Sequence, residues 1–520
     1  MPYSSAQPPS GSGAWVRRFA LPGFPELFFA VLLLALFGRA EAWQALLFDG
    51  DAGWHIRTGE LILRSGTVPR HDPFSFSRPD QTWFAWEWLS DVIFARLHAW
   101  GGLEAVAAFT AVALCASGVV LLCWLLRRGV GMWLALGVTL AAISASTIHY
   151  LARPHLFSLL FFPLALWILD EDRRRRSPLV WILAPLSALW ANLHGGFAAW
   201  LATLAILPLV SAVERNWPAV RRYASLTAAC ALATLANPYG WHLHQHIATY
   251  LRSSWILDNV QEFQSPRIRD ENMLVFAALL LAGVALSSRV LARREWFEGM
   301  LVLVWALAAL RSARHVPLYA VVAAPVIASE CASWWASRAQ GSPPGGVARV
   351  LWDSGQEIGR SRRFGLWGVA LGGLALWLVM PQPHIADFPA SRFPAAAVSR
   401  NLARLTTPAR VLTSDQWADY LIFLLYPRQR VFFDGRSDFY GPALGADYQV
   451  LLTAAPQWPK ILSRYGFDTA LLPLDWPLAS VLEHDSQWTL VYRDSVAQMF
   501  VRASGLKEAR GTAECHVVGE

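Results

Sequence analysis

The sequence predicts an α-helical, multi-pass membrane protein with about eleven spanning helices, followed by a C-terminal α/β domain. Three observations indicate this fold class. Of the 520 residues, 55% are hydrophobic and only 16% are charged, whereas typical soluble domains have about 45–50% and about 25%. Apolar runs long enough for a membrane crossing recur up to residue 380. Beyond residue 385, short strands and helices alternate instead.

Eleven apolar runs are the candidate spanning helices. They are residues 24–40, 103–126, 130–150, 154–170, 178–193, 195–213, 222–238, 272–289, 296–311, 315–336 and 364–380. Residues 1–23 are predicted to be a disordered cytoplasmic leader. Because no small-residue cleavage site follows the first run, we expect a retained anchor rather than a removed signal peptide.

Arginine clusters at alternate junctions indicate the orientation of the chain. They include Arg17 and Arg18, Arg127 and Arg128, Arg173 to Arg176, Arg221 and Arg222, Arg293 and Arg294, and Arg362 and Arg363. Such alternation is typical of the cytoplasmic side of a membrane. We therefore expect a bacterial inner-membrane protein with a cytoplasmic N-terminus. The net charge of +7 is then an orientation signal, since the basic residues form no patch that would indicate a nucleic-acid partner.

This orientation divides the chain into four parts. After the leader comes a transmembrane domain at 24–380, which contains a long external segment at 41–102, called the first loop. A periplasmic α/β domain at 385–505 and a tail at 506–520 complete the chain. Most of the ionisable residues outside the arginine clusters then lie on the external face of the membrane. A functional site is expected there.

The first loop contains two predicted helices. The first begins around Asp51 and ends near Gly66, and the second runs from Trp83 to Trp100 and contains Glu87. Both are too short and too polar to span, so we expect them to lie in the membrane interface. Asp51 and His55 are four residues apart and share a helix face, which makes His55 and Glu87 candidates for substrate binding.

Asp49 and Asp51 lie on either side of a glycine at the start of the first of these helices. Carboxylates at a membrane surface serve as a general base or as ligands of Mg²⁺ or Mn²⁺. Glu262, in a later external loop, is a candidate further ligand for such a metal. The alternative is that Asp51 only caps the helix.

The layout of the first loop resembles that of the C-type membrane glycosyltransferases, the GT-C superfamily. The shared features are an acidic motif after the first span, an interfacial helix, and a Pro-Asp-Pro-type loop at 69–73 before the second span. This superfamily includes protein O-mannosyltransferases, aminoarabinose transferases and oligosaccharyltransferase catalytic subunits. The similar layout extends over about residues 20–336.

The resemblance implies transfer of a sugar from a polyprenyl-phosphate donor, with inversion, at the non-cytoplasmic face. It also implies that an acid of the first loop is the catalytic base, which corresponds to Asp49 or Asp51. Members of the superfamily carry adjacent acids or a single acid here. The Asp-Gly-Asp sequence of this chain therefore leaves both residues as candidates.

Arginines and histidines at two other external turns are candidates for binding the donor phosphate. They are Arg153 and His155 at one turn, and Arg311, Arg314 and His315 at the other. Ionisable residues at membrane depth are costly and often functional, and a phosphate leaving group requires positive charge or hydrogen-bond donors. The alternative is that these side chains only extend from span ends to the interface.

Two breaks between apolar runs add further substrate-binding candidates. Asn192 and His194 lie in a bend without a polar linker, and such bends are tolerated where they are buried or line a cavity. Tyr239 follows Asn237-Pro238, which is a helix stop. The alternating His242, His244 and His246 would bind metal only on a strand, and we expect an interfacial loop there instead.

The C-terminal domain has its own pattern of elements. Strands are predicted at 410–413, 430–433, 469–472, 488–492 and 498–501, and helices at 416–425, 459–465 and 477–483. Asp434 and Arg436 follow a strand in a loop that suits ligand binding, with a simple β-turn as the alternative. The Trp417-Ala418-Asp419-Tyr420 sequence resembles an aromatic-Asp-Tyr motif of oligosaccharyltransferases, although the first Trp of that motif is absent.

These patterns predict a glycosyltransferase that moves a sugar from a polyprenyl-phosphate donor to an envelope acceptor, which is a glycan, a lipid or a protein. One rival is a lipid or glycan transporter, or an envelope-assembly protein without catalysis. A transporter is expected to show internal repeats and paired half-helices, which the sequence does not show. Another rival is an O-antigen-ligase-type enzyme, which would depend on the arginines and histidines rather than on the acids of the first loop.

Overall fold

A computed structural model describes residues 22–360, 367–380, 385, 387–406 and 409–503. The predicted leader, apart from its last two residues, and the tail at 506–520 lie outside these ranges, as do Arg17, Arg18, Arg362 and Arg363.

The α-helices carry the eleven apolar runs, each of which lies in or overlaps a helix. In chain order they are α1 Phe24–Phe37, α2 Ala40–Ala45, α3 Asp51–Ser65, α4 Trp88–Arg127, α5 Met132–Ser146, α6 His155–Arg175, α7 Leu183–Leu193, α8 Phe197–Val213, α9 Trp217–Ala233, α10 His242–Arg252, α11 Ser254–Asn259, α12 Glu271–Ala292, α13 Trp296–Arg311, α14 Val316–Gln340, α15 Val347–Arg360 and α16 Trp367–Val379. The multi-pass helical fold class is confirmed.

Length and hydropathy distinguish several of these helices as membrane spans. Four helical segments of the described chain are long and apolar enough to cross: Trp88–Arg127, Met132–His149, Met273–Ala292 and Ala313–Gln340. Shorter apolar helices lie at Phe24–Phe37, Pro178–Leu193, Phe197–Val213 and Trp367–Val379. The predicted bend between α7 and α8 is present, because α7 ends at Leu193 and His194 is extended with a φ of −164°.

The second helix of the first loop differs from its prediction at its start and agrees with it at its end. It begins at Trp88 rather than Trp83, because the preceding residues pair instead in a short hairpin, with the Trp83 N–H donating to the Arg70 carbonyl at 2.9 Å. Its predicted end at Gly101 and Gly102 is confirmed, because both glycines have non-helical backbone angles, with φ −153° and ψ 31° at Gly101 and φ 62° and ψ −158° at Gly102. The range α4 therefore contains an interfacial helix before these glycines and the spanning helix that begins directly after them.

The C-terminal region continues with helices α17 Ala395–Arg400, α18 Leu402–Thr406, α19 Asp415–Leu425, α20 Ser437–Leu452, α21 Trp458–Tyr465 and α22 Pro477–His484. Its strands are β1 Val411–Leu412, β2 Thr469–Pro473, β3 Trp488–Arg493 and β4 Ala497–Arg502. They form one sheet in the order β1-β2-β4-β3, in which only the β1–β2 pair is parallel. The small α/β layer is confirmed.

The strand predicted at 430–433 is wrong. Val431 does not join the sheet and instead bridges Ser75 of the first loop, with its N–H donating to the Phe74 carbonyl at 2.9 Å.

The loop predicted for the histidine segment is also wrong, because these residues form α10. In that helix His242 faces Gln245, His244 faces Thr234 and His246 faces Asp438, so the three rings diverge.

The first loop and the C-terminal region pack around one shared apolar core, in which Trp54, Phe74 and Trp83 meet Phe433 and Tyr440. Close backbone approaches bring them together. A Cβ at position 50 would lie 2.3 Å from the Gln416 carbonyl oxygen, and one at position 53 would lie 2.8 Å from that of Asp419. This packing places the start of α3 directly against α19.

We predict that Gly59→Ala destabilises the protein, because a Cβ at this position of α3 would lie 2.0 Å from the Asp91 carbonyl oxygen of α4. Overpacking of this kind typically costs about 1–3 kcal/mol. Gly137→Ala is the matched control, since its Cβ would meet nothing within 4 Å in helix α5. The measurement is the midpoint of thermal unfolding in detergent, and equal midpoints for the two variants would contradict the packing described here.

Candidate functional site

A cavity of about 420 Å³ lies where the first loop, the C-terminal region and the membrane helices meet. Its polar wall includes Asp51, His55, Glu87, Arg153, His155, His194, Glu262, Arg314, His315 and Arg436. Its apolar wall comes from α6, α8, α13 and α14 and includes Leu159, Ala198, Ala202, Val304, Ala308 and Leu318. Charged side chains and apolar helix residues thus line the same cavity.

Arg153 is the centre of a cluster of carboxylates. Its Nη1 lies 2.8 Å from Asp49 Oδ2 and 2.5 Å from Glu262 Oε1, and its Nη2 lies 2.7 Å from Asp51 Oδ2. The side chain is about four-fifths buried, with 20% of its surface exposed. One guanidinium therefore joins three carboxylates from two separate loops.

Local backbone contacts hold these groups in place. Arg153 lies in the tight turn before α6, and the N–H of the neighbouring Ala152 donates to the Leu46 carbonyl at 2.7 Å, which fixes the turn against the first loop. Glu262 lies in a short 3₁₀ turn, whose carbonyl accepts a hydrogen bond from Ser312 Oγ at 2.9 Å. The cluster is thus supported by structure outside it.

Arg314 extends the cluster from the other side of Glu262. Its Nη2 lies 3.2 Å from Glu262 Oε2, and its Nη1 donates to the Tyr250 hydroxyl at 3.2 Å. The guanidinium also stacks 4.8 Å from the centre of the Phe263 ring. Burial opposes ionisation of Glu262, but Arg153 and Arg314 outweigh it and hold the pKa of this carboxyl below its usual range.

Asp51 and Asp419 lie side by side beneath Gly435. A Cβ on that glycine would lie 2.1 Å from Asp51 Oδ1 and 2.8 Å from Asp419 Oδ2. Neither of these two buried oxygens has a hydrogen-bond donor among the described residues. Burial raises the pKa of Asp51 to about 7, against the opposing charge of Arg153. Burial, together with Asp51, raises the pKa of Asp419 as well, as expected for two buried carboxyls that lie side by side.

Glu87 belongs to a second polar cluster on the cavity wall, in which it lies between two histidines. Its carboxyl oxygens lie 3.8 Å from His55 Nε2 and 3.6 Å from His194 Nε2. His55 Nδ1 lies 2.6 Å from Asp91 Oδ1, and His194 Nδ1 accepts the Gly196 N–H at 3.0 Å. Burial raises the pKa of Glu87 to about 8, which leaves it protonated at neutral pH.

Arg436 reaches the cavity from a buried ion cluster. Its Nη2 lies 2.8 Å from Asp72 Oδ1 and 2.7 Å from Asp434 Oδ2, and the Tyr440 hydroxyl donates to Asp434 at 2.7 Å. Only 2% of Arg436 is exposed, yet its Nη1 has no acceptor within the described ranges. Asp434 therefore orients Arg436 at the cavity wall and leaves Nη1 of the guanidinium unpaired.

Five of the residues predicted for the site are not among those that line the cavity. Asp49 lies behind Arg153 and accepts the Asp51 N–H at 2.9 Å, Asp434 lies under Arg436, and Arg311 is exposed at the end of α13. Asn192 Oδ1 accepts the Trp88 indole N–H at 2.7 Å, and the Tyr239 hydroxyl accepts the Ala85 N–H at 2.8 Å. These last two side chains brace the first loop.

Sequence reasoning missed four polar groups of the site. Asp91 and Asp419 lie within amphipathic or apolar helices, where neither spacing nor composition indicates a role. Tyr250 and Asp438, on α10 and α20, come from helices that were not predicted. The one available signal was the resemblance of the Trp417-to-Tyr420 sequence to the oligosaccharyltransferase motif.

Comparisons with known proteins identify the fold. No family model matches the chain, and no curated protein sequence matches it. Among solved structures it is similar to ArnT from Cupriavidus metallidurans bound to undecaprenyl phosphate, with a TM-score of 0.50, 15% identity, and coverage of 95% of this chain and 99% of that chain.

The chain is also similar to the archaeal oligosaccharyltransferase AglB from Archaeoglobus fulgidus in complex with an inhibitory peptide and a dolichol-phosphate. The TM-score is 0.53, the identity is 12%, and the match covers 92% of this chain and 74% of that chain. The apo form of the Archaeoglobus fulgidus oligosaccharyltransferase matches with a TM-score of 0.50 at 11% identity, over 86% of this chain and 69% of that one. The chain therefore has the GT-C fold.

Proposed function

We propose that this protein is an inverting glycosyltransferase of the bacterial inner membrane, which moves a sugar from a polyprenyl-phosphate donor to an envelope acceptor in the periplasm. The observation that carries the proposal is the cavity, whose wall combines arginines and carboxylates with apolar residues of four helices. A lipid-linked phosphate likewise combines a charged head with an apolar chain. The structurally similar ArnT and AglB are described with undecaprenyl phosphate and dolichol-phosphate.

Asp51 is the proposed catalytic base. Of the two candidate bases, Asp49 and Asp51, only Asp51 lines the cavity, and its Oδ1 has no donor among the described residues. A pKa of about 7 suits a base that works near neutral pH. Asp51 takes the proton of an acceptor hydroxyl or amide, and the freed oxygen or nitrogen attacks the anomeric carbon of the sugar.

The bond between the anomeric carbon and the phosphate oxygen breaks as the new bond forms on the opposite face, which inverts the configuration. The leaving polyprenyl phosphate carries the negative charge. Two donors face it: the guanidinium of Arg314 and the unpaired Nη1 of Arg436. Because they are fixed in a largely buried site, these cations stabilise the developing charge more than they would in water.

Protonated Glu87 is proposed to contact the sugar. It lies on the cavity wall, and its two histidine neighbours hold it between α3 and the bend before α8. A neutral carboxyl group both donates and accepts hydrogen bonds, which suits a sugar hydroxyl. Trp54, Trp83 and Trp86 line the same cavity and offer aromatic faces to the ring.

We predict that Asp51→Asn lowers the rate of transfer by about 10²–10⁴-fold, the usual contribution of a general base. Asp49→Asn is the matched control and is expected to lose less than about tenfold, because its amide oxygen still accepts the Asp51 N–H and Arg153 keeps two carboxylates. The assay is release of undecaprenyl phosphate from a panel of undecaprenyl-phosphate sugars, with envelope extract as acceptor.

Thermal unfolding of both variants separates loss of catalysis from loss of folding. An Asp51→Asn variant that is folded and retains full transfer activity would contradict the role of Asp51. A greater loss in Asp49→Asn than in Asp51→Asn would assign the base to Asp49 instead.

We predict that the rate rises with pH through about 7, because ionised Asp51 is the active form. The Asp419 carboxyl lies beside Asp51 and lowers its pKa, so in Asp419→Ala the acid limb of kcat/KM should move to higher pH. Asp419→Asn retains an N–H donor and should keep the limb near its wild-type position. Identical pH profiles for Asp419→Ala and the wild type would show that Asp419 does not act on the base.

A further inference from the structure

The carboxylates around Arg153 are the residues that the sequence predicts as metal ligands, so their contacts test that prediction. Asp49, Asp51 and Glu262 are the candidate ligands of Mg²⁺ or Mn²⁺, and the structure does bring these three carboxylates together. They converge, however, on a guanidinium, with contacts of 2.8, 2.7 and 2.5 Å. The centre of the acidic cluster thus already contains a positive charge.

The carboxylate oxygens are also already engaged. Asp49 Oδ1 accepts the Asp51 N–H, and Asp49 Oδ2 faces Arg153. Asp51 Oδ2 and Glu262 Oε1 face Arg153, and Glu262 Oε2 faces Arg314. Five of the six oxygens therefore have donors from the protein, and the sixth, Asp51 Oδ1, is the one proposed to accept a proton.

A divalent cation does not fit this arrangement. Mg²⁺ requires near-octahedral oxygen ligands at about 2.0–2.1 Å, and these oxygens are committed to N–H groups that would have to be displaced. A cation among them would also lie within a few ångströms of two guanidinium groups. Among the residues that the structure describes, no group of three or more His, Cys, Asp or Glu side chains has a geometry that could hold a metal ion.

We infer that Arg153 takes the place of a divalent cation: its guanidinium is the fixed positive charge that the three carboxylates hold, and the site works without a metal ion. Arg153 then keeps Asp49, Asp51 and Glu262 together in the absence of substrate. The part of this inference that concerns turnover rests on the proposed glycosyl transfer. The part that concerns cation binding does not.

The experiment is a titration of the full chain in lipid nanodiscs with Mn²⁺, followed by electron paramagnetic resonance of the bound and free ion. Surface acids bind Mn²⁺ weakly, so the titration stays at Mn²⁺ concentrations 100-fold below the range in which they bind. In that range the wild type should bind no Mn²⁺ at this site. Arg153→Ala should gain one Mn²⁺ site, because removal of the guanidinium leaves three carboxylates facing one space. Arg153→Lys retains the charge and should gain none.

The double variant Arg153→Ala, Glu262→Gln identifies the site, because loss of one carboxylate should weaken the new Mn²⁺ binding by at least about tenfold. Stoichiometric Mn²⁺ binding to the wild type that Glu262→Gln abolishes would overturn the inference, as would a folded Arg153→Ala variant that gains no site. If Arg153→Ala does not fold, the wild-type titration compared with Glu262→Gln still decides.

Turnover is measured separately. With EDTA, wild-type release of undecaprenyl phosphate should be unchanged, and loss of activity that Mn²⁺ or Mg²⁺ restores would overturn the inference. Absence of transfer from every donor, together with the expected Mn²⁺ results, would count against the proposed function and leave the cation replacement standing.

Discussion

The guanidinium of Arg153 joins segments of the chain that are far apart in sequence. Asp49 and Asp51 belong to the first loop, Glu262 to a 3₁₀ turn more than 200 residues later, and Arg153 to the turn before α6. Buried charges are costly unless they are paired and hydrogen-bonded. Each of these elements is therefore held by Arg153, and loss of this guanidinium would leave uncompensated carboxylates in the site.

The same constraint explains why the C-terminal region is part of the site rather than a separate appendage. Asp419 of α19 lies against Asp51, Gly435 covers both carboxyls, and Arg436 supplies a donor to the cavity. The close approach of Gly50 and Gly53 to the backbone of α19 makes this contact possible. The proposed base, Asp51, thus belongs to the first loop, and its pKa is affected by Asp419, almost 370 positions away.

Local patterns of the sequence predicted the helices well and the tertiary contacts poorly. The apolar runs, the end of α3 at Gly66 and the strands β2, β3 and β4 follow from hydrophobic period and turn residues. The segment 430–433 was predicted to be a strand because it is rich in apolar and aromatic residues. Its Val431 instead pairs with Ser75, which no local pattern indicates. Asp91 was not predicted, and Asp419 was named only within a motif, for a similar reason, since their contacts come only from neighbours that the fold supplies. The convergence of Arg153 on three predicted acids was equally beyond the sequence.

On the proposed mechanism, the cavity holds a lipid-linked phosphate beside Asp51. This can be seen directly in a cryo-electron microscopy map of the full chain in nanodiscs that contain undecaprenyl phosphate. We expect phosphate density within hydrogen-bond distance of Arg314 or Arg436, with the prenyl chain along Leu159, Val304 and Leu318. Phosphate density outside this cavity, or an empty cavity at saturating lipid, would contradict it.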